Sequence, residues 1–131
     1  TNAPYSIVQP GSYYLATNLT STGHGIVIYT NDVVVDLMGF AIVGDRTTSD
    51  YGIYVRGTNT VPIHGVVVRN GTIRNFGCGI RANGCHGGRF ERLALTEHSQ
   101  AGIWLYGTYG GCNGNVVLLV LNIFKPGGRK P

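Results

Sequence analysis

The sequence predicts an all-β solenoid, a single chain wound into about four to five short stacked coils. Three observations predict it. A glycine, an isoleucine and an alternating strand recur as Gly25-Ile26-Val27-Ile28, Gly52-Ile53-Tyr54-Val55, Gly79-Ile80-Arg81-Ala82 and Gly102-Ile103-Trp104-Leu105, with starts 27, 27 and 23 residues apart. A period in that range marks stacked supersecondary units. No window carries an apolar stripe at helical spacing, so each unit reads as strand and turn alone. Finally, 21 glycines against only 12% charged residues describe a chain built of turns and strands.

Taken in order, residues 1–22 read as an N-terminal cap. Within them Ile7-Val8-Gln9-Pro10-Gly11-Ser12-Tyr13-Tyr14-Leu15 precedes the periodic part, and Asn18-Leu19-Thr20 follows. Terminal units of solenoids are atypical because they close one end of an open core. Residues 23–124 read as the coils. Each coil has a second strand: Val33 to Ile42 matches Val66 to Ile73 with one residue deleted, Arg89 to Leu95 is a looser copy, and Asn115 to Asn122 is a fourth. Turns are expected at Gly44-Asp45, Gly57-Thr58-Asn59, Gly84-Cys85 and Gly107-Thr108, where glycine supplies positive φ. The longest polar insertion, Asp45 to Tyr51, is the loop best suited to carry function. Residues 125–131 have the composition of a flexible basic tail.

That tail explains most of the formal charge of +4: it holds three of the ten basic residues, leaving seven against six acidic ones. A nearly neutral body gives no footprint for nucleic acid. No segment approaches the ~18 apolar residues of a membrane-spanning helix. The chain opens at Thr1 rather than Met, which reads as a processed or excised segment. Cys78, Cys85 and Cys112 show no zinc spacing. Cys85 and Cys112 stand one coil period apart, so they are placed either for a disulfide or as buried thiols. The compartment stays open, with an extracellular or periplasmic one slightly favoured.

Alternation along a strand decides what faces out. With the isoleucines inside, Ile26, Ile28, Ile53, Val55, Ile80, Ala82, Ile103 and Leu105 form the core. Two outward columns follow: Val27, Tyr54, Arg81, Trp104, and Tyr29, Arg56, Asn83, Tyr106. Aromatic rings stack on sugar faces and arginine forks pair with carboxylates. Tyr54, Arg56, Arg81, Trp104 and Tyr106 are therefore the candidate carbohydrate-binding residues. The same residue types also favour protein interfaces. Another outward column, Asp36, Arg69, Glu91, reads as an ion-pair ladder. As an acid/base pair it is poor, because Arg69 between the carboxylates lowers both pKa values.

The runs Gln9-Pro10-Gly11-Ser12-Tyr13-Tyr14-Leu15, Asp32-Val33-Val34-Val35-Asp36-Leu37 with Gly39, and Val68-Arg69-Asn70-Gly71-Thr72-Ile73 resemble the right-handed parallel β-helix proteins of the pectate-lyase-like superfamily. The resemblance covers residues 5 to 122 and implies that fold in its right-handed, single-stranded form. It leaves function wide, since the superfamily includes lyases, hydrolases, epimerases and phage tail proteins. Polygalacturonase-like members combine clustered aspartates with Gly-His-Gly and Arg-Ile-Lys segments. Here only Gly23-His24-Gly25 is present, with neither a paired Asp-Asp nor an Arg-Ile-Lys. The acidic cluster of a calcium-dependent lyase is missing as well, and His24, His64, His86 and His98 read as structural. No catalytic residue, metal site or cofactor is assigned.

The run Val116-Val117-Leu118-Leu119-Val120-Leu121 is apolar on both faces. One face can line the core; the other, beside an open sheet edge, calls for a partner. Val117, Leu118, Leu119, Val120 and Leu121 are thus the candidate interface of a homodimer. The expected functions are a carbohydrate-binding module, a self-assembling structural β-helix, or a truncated polysaccharide lyase or hydrolase, in that order.

Overall fold

The computed structural model describes residues 4–46, 49–58 and 60–106 fully, and 116–121 as backbone. Among the described residues fourteen short strands follow one another. They are β1 (Tyr5–Ile7), β2 (Gly11–Tyr14), β3 (Leu19–Thr20), β4 (Ile26–Ile28) and β5 (Val33–Asp36). Next come β6 (Ala41–Val43), β7 (Tyr51–Arg56), β8 (Ile63–His64), β9 (Val67–Arg74) and β10 (Cys78–Asn83). The last are β11 (Cys85–His86), β12 (Arg89–Thr96), β13 (Ala101–Tyr106) and β14 (Val116–Leu121). Among the described residues there is no helix.

Every pairing among the described residues is parallel. The strands stack as β1-β4-β7-β10-β13 on one sheet and β14-β12-β9-β5-β2 on another. β3 and β6 continue the second sheet beyond a bend, and β8 and β11 form a narrow corner ladder. The chain is a parallel β-solenoid of about four turns. The expected fold class holds at that level. Residues 5–20 make a rung of their own, since Tyr5 registers with Ile26 and Gly11 with Val33.

The repeats stack as the sequence period requires: Ile26, Ile53, Ile80 and Ile103 are successive register partners. Their inward neighbours Ile28, Val55 and Ala82 join Val35, Leu37, Val68, Ile73, Phe90 and Leu93 in one continuous core. Leu105 departs from expectation. It holds an inward register position yet is 38% exposed, because β13 is the outermost strand of its sheet. In the second strand the register offset drops from 33 residues at Asp36–Arg69 to 31 at Ala41–Thr72. Two residues are therefore deleted there, not one; the extra pair forms the turn at Met38 and Gly39.

The glycines serve a purpose other than the one expected. Of the described turn glycines, Gly84 has positive φ (55°), but Gly44 and Gly57 do not. At most corners the left-handed conformation falls on other residues, in stacked sets: Asp32 above Gly65 and Gly87, Asn70 above Arg92, and Asn75 above Glu97. The repeat glycines instead leave room. A Cβ on Gly25 would collide with the Gly52 carbonyl, and one on Gly52 would collide with Ile73 Cγ2 and lie 2.7 Å from Gly79 O. One on Gly79 would lie 2.7 Å from Gly102 O. The Gly of the first three Gly-Ile pairs marks a close approach of successive rungs, as Gly44 and Gly57 also do.

Cys78 and Cys85 are buried. Burial pushes the Cys78 thiol up, and its Sγ lies 3.6 Å from Gln100 Oε1. Cys112, and with it the Cys85–Cys112 pairing, lies outside the described residues, as do Gly107-Thr108 and the tail. Among the described residues no helix is long and apolar enough to cross a membrane.

The close rung contact predicts that Gly52→Ala destabilises the fold by about 1–3 kcal/mol, the usual cost of overpacking. Gly23→Ala, where a Cβ meets nothing within 4 Å, should be near neutral. Urea unfolding of the two variants checks both outcomes.

Candidate functional site

The first sheet brings the two predicted columns together. Tyr54 registers with Arg81 and Arg81 with Trp104; Arg56 registers with Asn83 and Asn83 with Tyr106. Val27 completes the first column in register, but it is buried rather than exposed. Trp104 (41%), Tyr106 (48%) and Tyr29 (46%) are half-exposed.

The two arginines are held differently. The Arg81 guanidinium lies 4.5 Å from the Trp104 ring centroid, 5.3 Å from Tyr106 and 5.4 Å from Tyr51. Its Nε donates to Asn83 Oδ1 (3.0 Å) and its Nη1 to the Tyr51 hydroxyl (3.3 Å). Asn83 Nδ2 in turn donates to the Tyr54 hydroxyl (3.3 Å). Arg81 is a half-buried pillar that orients three rings. Arg56 is exposed and rests on Tyr29 (5.7 Å) and Tyr54 (5.3 Å). Among the described residues it has no hydrogen-bond or ion-pair partner, so its N–H fork is available to an anion. It lines a shallow concavity of about 340 Å³ with Tyr29, Tyr54, Thr58 and Asn83.

His24 and Tyr51 join this cluster, which strand alternation did not foresee. Their rings stack at 5.1 Å, and Tyr51 meets Tyr54 edge-on at 4.9 Å. The 27-residue spacing of His24 and Tyr51 was visible in the sequence. Their side chains were not assignable to a face, because the rung corner at Gly25 and Gly52 interrupts the two-residue alternation. His24 Nδ1 accepts the Tyr51 N–H (3.0 Å) and lies 3.9 Å from Asp50. Burial lowers the His24 pKa; Asp50 opposes and Arg56 adds to the shift.

On the second sheet the charged column is only partly a ladder. Arg69 Nε contacts Asp36 Oδ2 at 3.2 Å, whereas Glu91 pairs with Arg89 of its own strand. Burial alone would raise the Asp36 carboxyl, but the Met38 N–H, Arg69 and Asn70 outweigh it and hold it below its ordinary value. The Arg89 hydrogen bond likewise holds Glu91 low. Both carboxyls are thus shifted away from what a general acid needs. Among the described residues, no three His, Cys, Asp or Glu side chains converge as metal ligands.

A larger concavity, about 420 Å³, lies at the N-terminal end. It is lined by Ile7, Tyr13, Leu15, Leu19, Ile26 and Val35, the rim of the core itself rather than a set of reactive groups.

Comparison with known proteins returns no match, neither to a family profile, nor to a curated protein, nor to a solved structure.

The histidines give a pH dependence. His98 Nε2 lies 2.8 Å from Ile73 O and Nδ1 accepts the Phe76 N–H (3.3 Å), an arrangement that uses the neutral ring. Burial lowers its pKa, against the two backbone hydrogen bonds. A His with a depressed folded-state pKa binds its proton more readily when unfolded, so stability falls as pH drops. For His24 and His98 the loss begins near the ordinary histidine value of 6.5 and continues downward. Asp36 adds a separate loss below the ordinary aspartate value of 3.8. The urea midpoint should therefore decrease from pH 7.5 to pH 5, and His98→Gln should flatten that decrease.

Proposed function

We propose that this chain is a non-catalytic β-helix module that binds an acidic polysaccharide on the outward face of β7, β10 and β13, together with Tyr29 just after β4. The observation that carries the reading is Arg56: an exposed guanidinium seated on Tyr29 and Tyr54 in a concavity. Half-exposed Trp104 and Tyr106 stand two rungs away in the same columns. A uronate carboxylate fits the Arg56 fork while neighbouring sugar rings lie on the aromatic faces. Arg81, whose Nε and Nη1 are engaged, acts through the rings that it orients. The resemblance to pectate-lyase-like β-helices supports the same ligand class and is part of this proposal. Low carboxyl pKa values at Asp36 and Glu91 disfavour the lyase or hydrolase reading.

A second reading, self-assembly, has its own support. β14 is the outermost strand of the second sheet, and its register sets Leu118 against Glu91 of the outward column. An apolar residue at such a position, next to an open parallel edge, favours a two-fold dimer through Val117 to Leu121.

A glycan array separates the two. Wild type should retain uronate-rich oligosaccharides, and Trp104→Ala should weaken them about tenfold, the equivalent of one stacked ring. Arg56→Ala should remove the preference for acidic over neutral sugars. Absence of binding to any sugar would favour the assembly reading. For the latter, light scattering should give a dimer that Leu118→Asp splits; a wild-type monomer at micromolar concentration ends that idea.

A further inference from the structure

We propose that His64 and His86 form a two-imidazole chelate for a borderline divalent transition cation, Zn²⁺ or Ni²⁺, that ties adjacent rungs together at a corner of the solenoid. In the sequence His64 near a turn and His86 beside Cys85 are placed to approach each other, but with no metal predicted they read as structural. The fold makes them neighbours. β8 and β11 pair in parallel with His64 opposite His86, and the two rings stack with centroids 5.3 Å apart at 22°.

The backbone beneath the pair is fixed from both sides. His64 N–H donates to Asn31 Oδ1 (2.8 Å), and the His64 carbonyl accepts from Asp32 N–H (2.9 Å). The His86 carbonyl accepts from Gly65 N–H (3.3 Å). Asp32, Gly65 and Gly87, stacked directly after Asn31, His64 and His86, all hold positive φ. The two Cα–Cβ bonds are therefore presented side by side by a corner that is already built, and little backbone ordering remains for an ion to impose.

Imidazole nitrogen suits Zn²⁺ and Ni²⁺ and discriminates against Mg²⁺ and Ca²⁺, which prefer oxygen. Two nitrogens about 2.0–2.1 Å from one tetrahedral ion stand roughly 3.4 Å apart. The stacked rings must tip toward each other to reach that span. His64 is exposed and His86 half-buried, so the tipping happens at the surface and leaves the core untouched. No third described His, Cys, Asp or Glu converges on the pair, so water fills the remaining coordination positions. Such a chelate is a stabilising clip, with affinity in the micromolar range rather than that of a closed structural zinc site.

The test uses tag-free protein, titrated with ZnCl₂ or NiCl₂ by calorimetry at neutral pH. One equivalent should bind at micromolar concentration and raise the unfolding temperature, while MgCl₂ should give no heat. His64→Gln and His86→Gln should each weaken binding at least tenfold, with His24→Gln and His98→Gln unchanged. In wild type, Ni²⁺ should broaden the amide signals around His64 and His86 first, a readout that needs no variant. Absence of broadening there, or wild-type affinity in either His64→Gln or His86→Gln, overturns the proposal.

Discussion

Each rung of this solenoid stands one backbone hydrogen bond from the next, and that spacing governs everything else in the molecule. Parallel strands ~4.8 Å apart leave no freedom in how successive coils superimpose. Residue n of one coil must meet its counterpart in the next, so every side chain is read as a member of a column. At Gly25, Gly52 and Gly79 the backbones come so close at the corner that a Cβ would strike the next rung. The same closeness turns separate coils into one core running from Ile7 to Leu95. It also holds non-glycine residues such as Asp32, Asn70 and Arg92 in the left-handed region. Asparagine and aspartate visit that region at low cost, whereas Arg92 and Glu97 are held there by the ladder bonds on either side.

Columns also explain why the outward face has chemical character. A single exposed tyrosine or arginine is ordinary on a protein surface. Stacked at rung spacing, Arg81 becomes enclosed by Trp104, Tyr106 and Tyr51, and its fork is committed to Tyr51 and Asn83. Arg56, one rung earlier, keeps its fork outward while two rings support its face. Two residues of the same type thereby acquire different roles from their place in the stack. The histidines divide in the same way. His98 is absorbed into backbone bonding, His24 into the aromatic cluster, and His64 and His86 remain together at the surface.

Much of this was legible because a two-residue alternation within a regular period carries both fold and facing. The Gly-Ile repeat gave the coils, the inward isoleucines, and the columns through Tyr54, Arg56, Arg81, Trp104 and Tyr106. The reading failed where alternation breaks. At the corner before Gly25 and Gly52 it missed that His24 and Tyr51 turn toward the outer cluster. In the second strand it counted one deleted residue where the register shows two, because the Met38-Gly39 turn lies between otherwise matching apolar positions. It credited Gly44 and Gly57 with positive φ, although their function is to leave space.

The amino-acid sequence alone determined that this chain is an all-β solenoid and which residues line its interior, since period and polarity are properties of the chain in one dimension. Only the tertiary structure decided which side chains touch. Arg81 is caged by rings of the rungs on either side, whereas the Arg56 guanidinium, resting on Tyr29 and Tyr54, has no hydrogen-bond partner among the described residues. His64 meets His86 because the chain between them closes one turn. Contacts across rungs depend on how many residues each corner consumes, and corner lengths here vary from coil to coil. That variation is what the sequence period averages away and the stacked backbone restores.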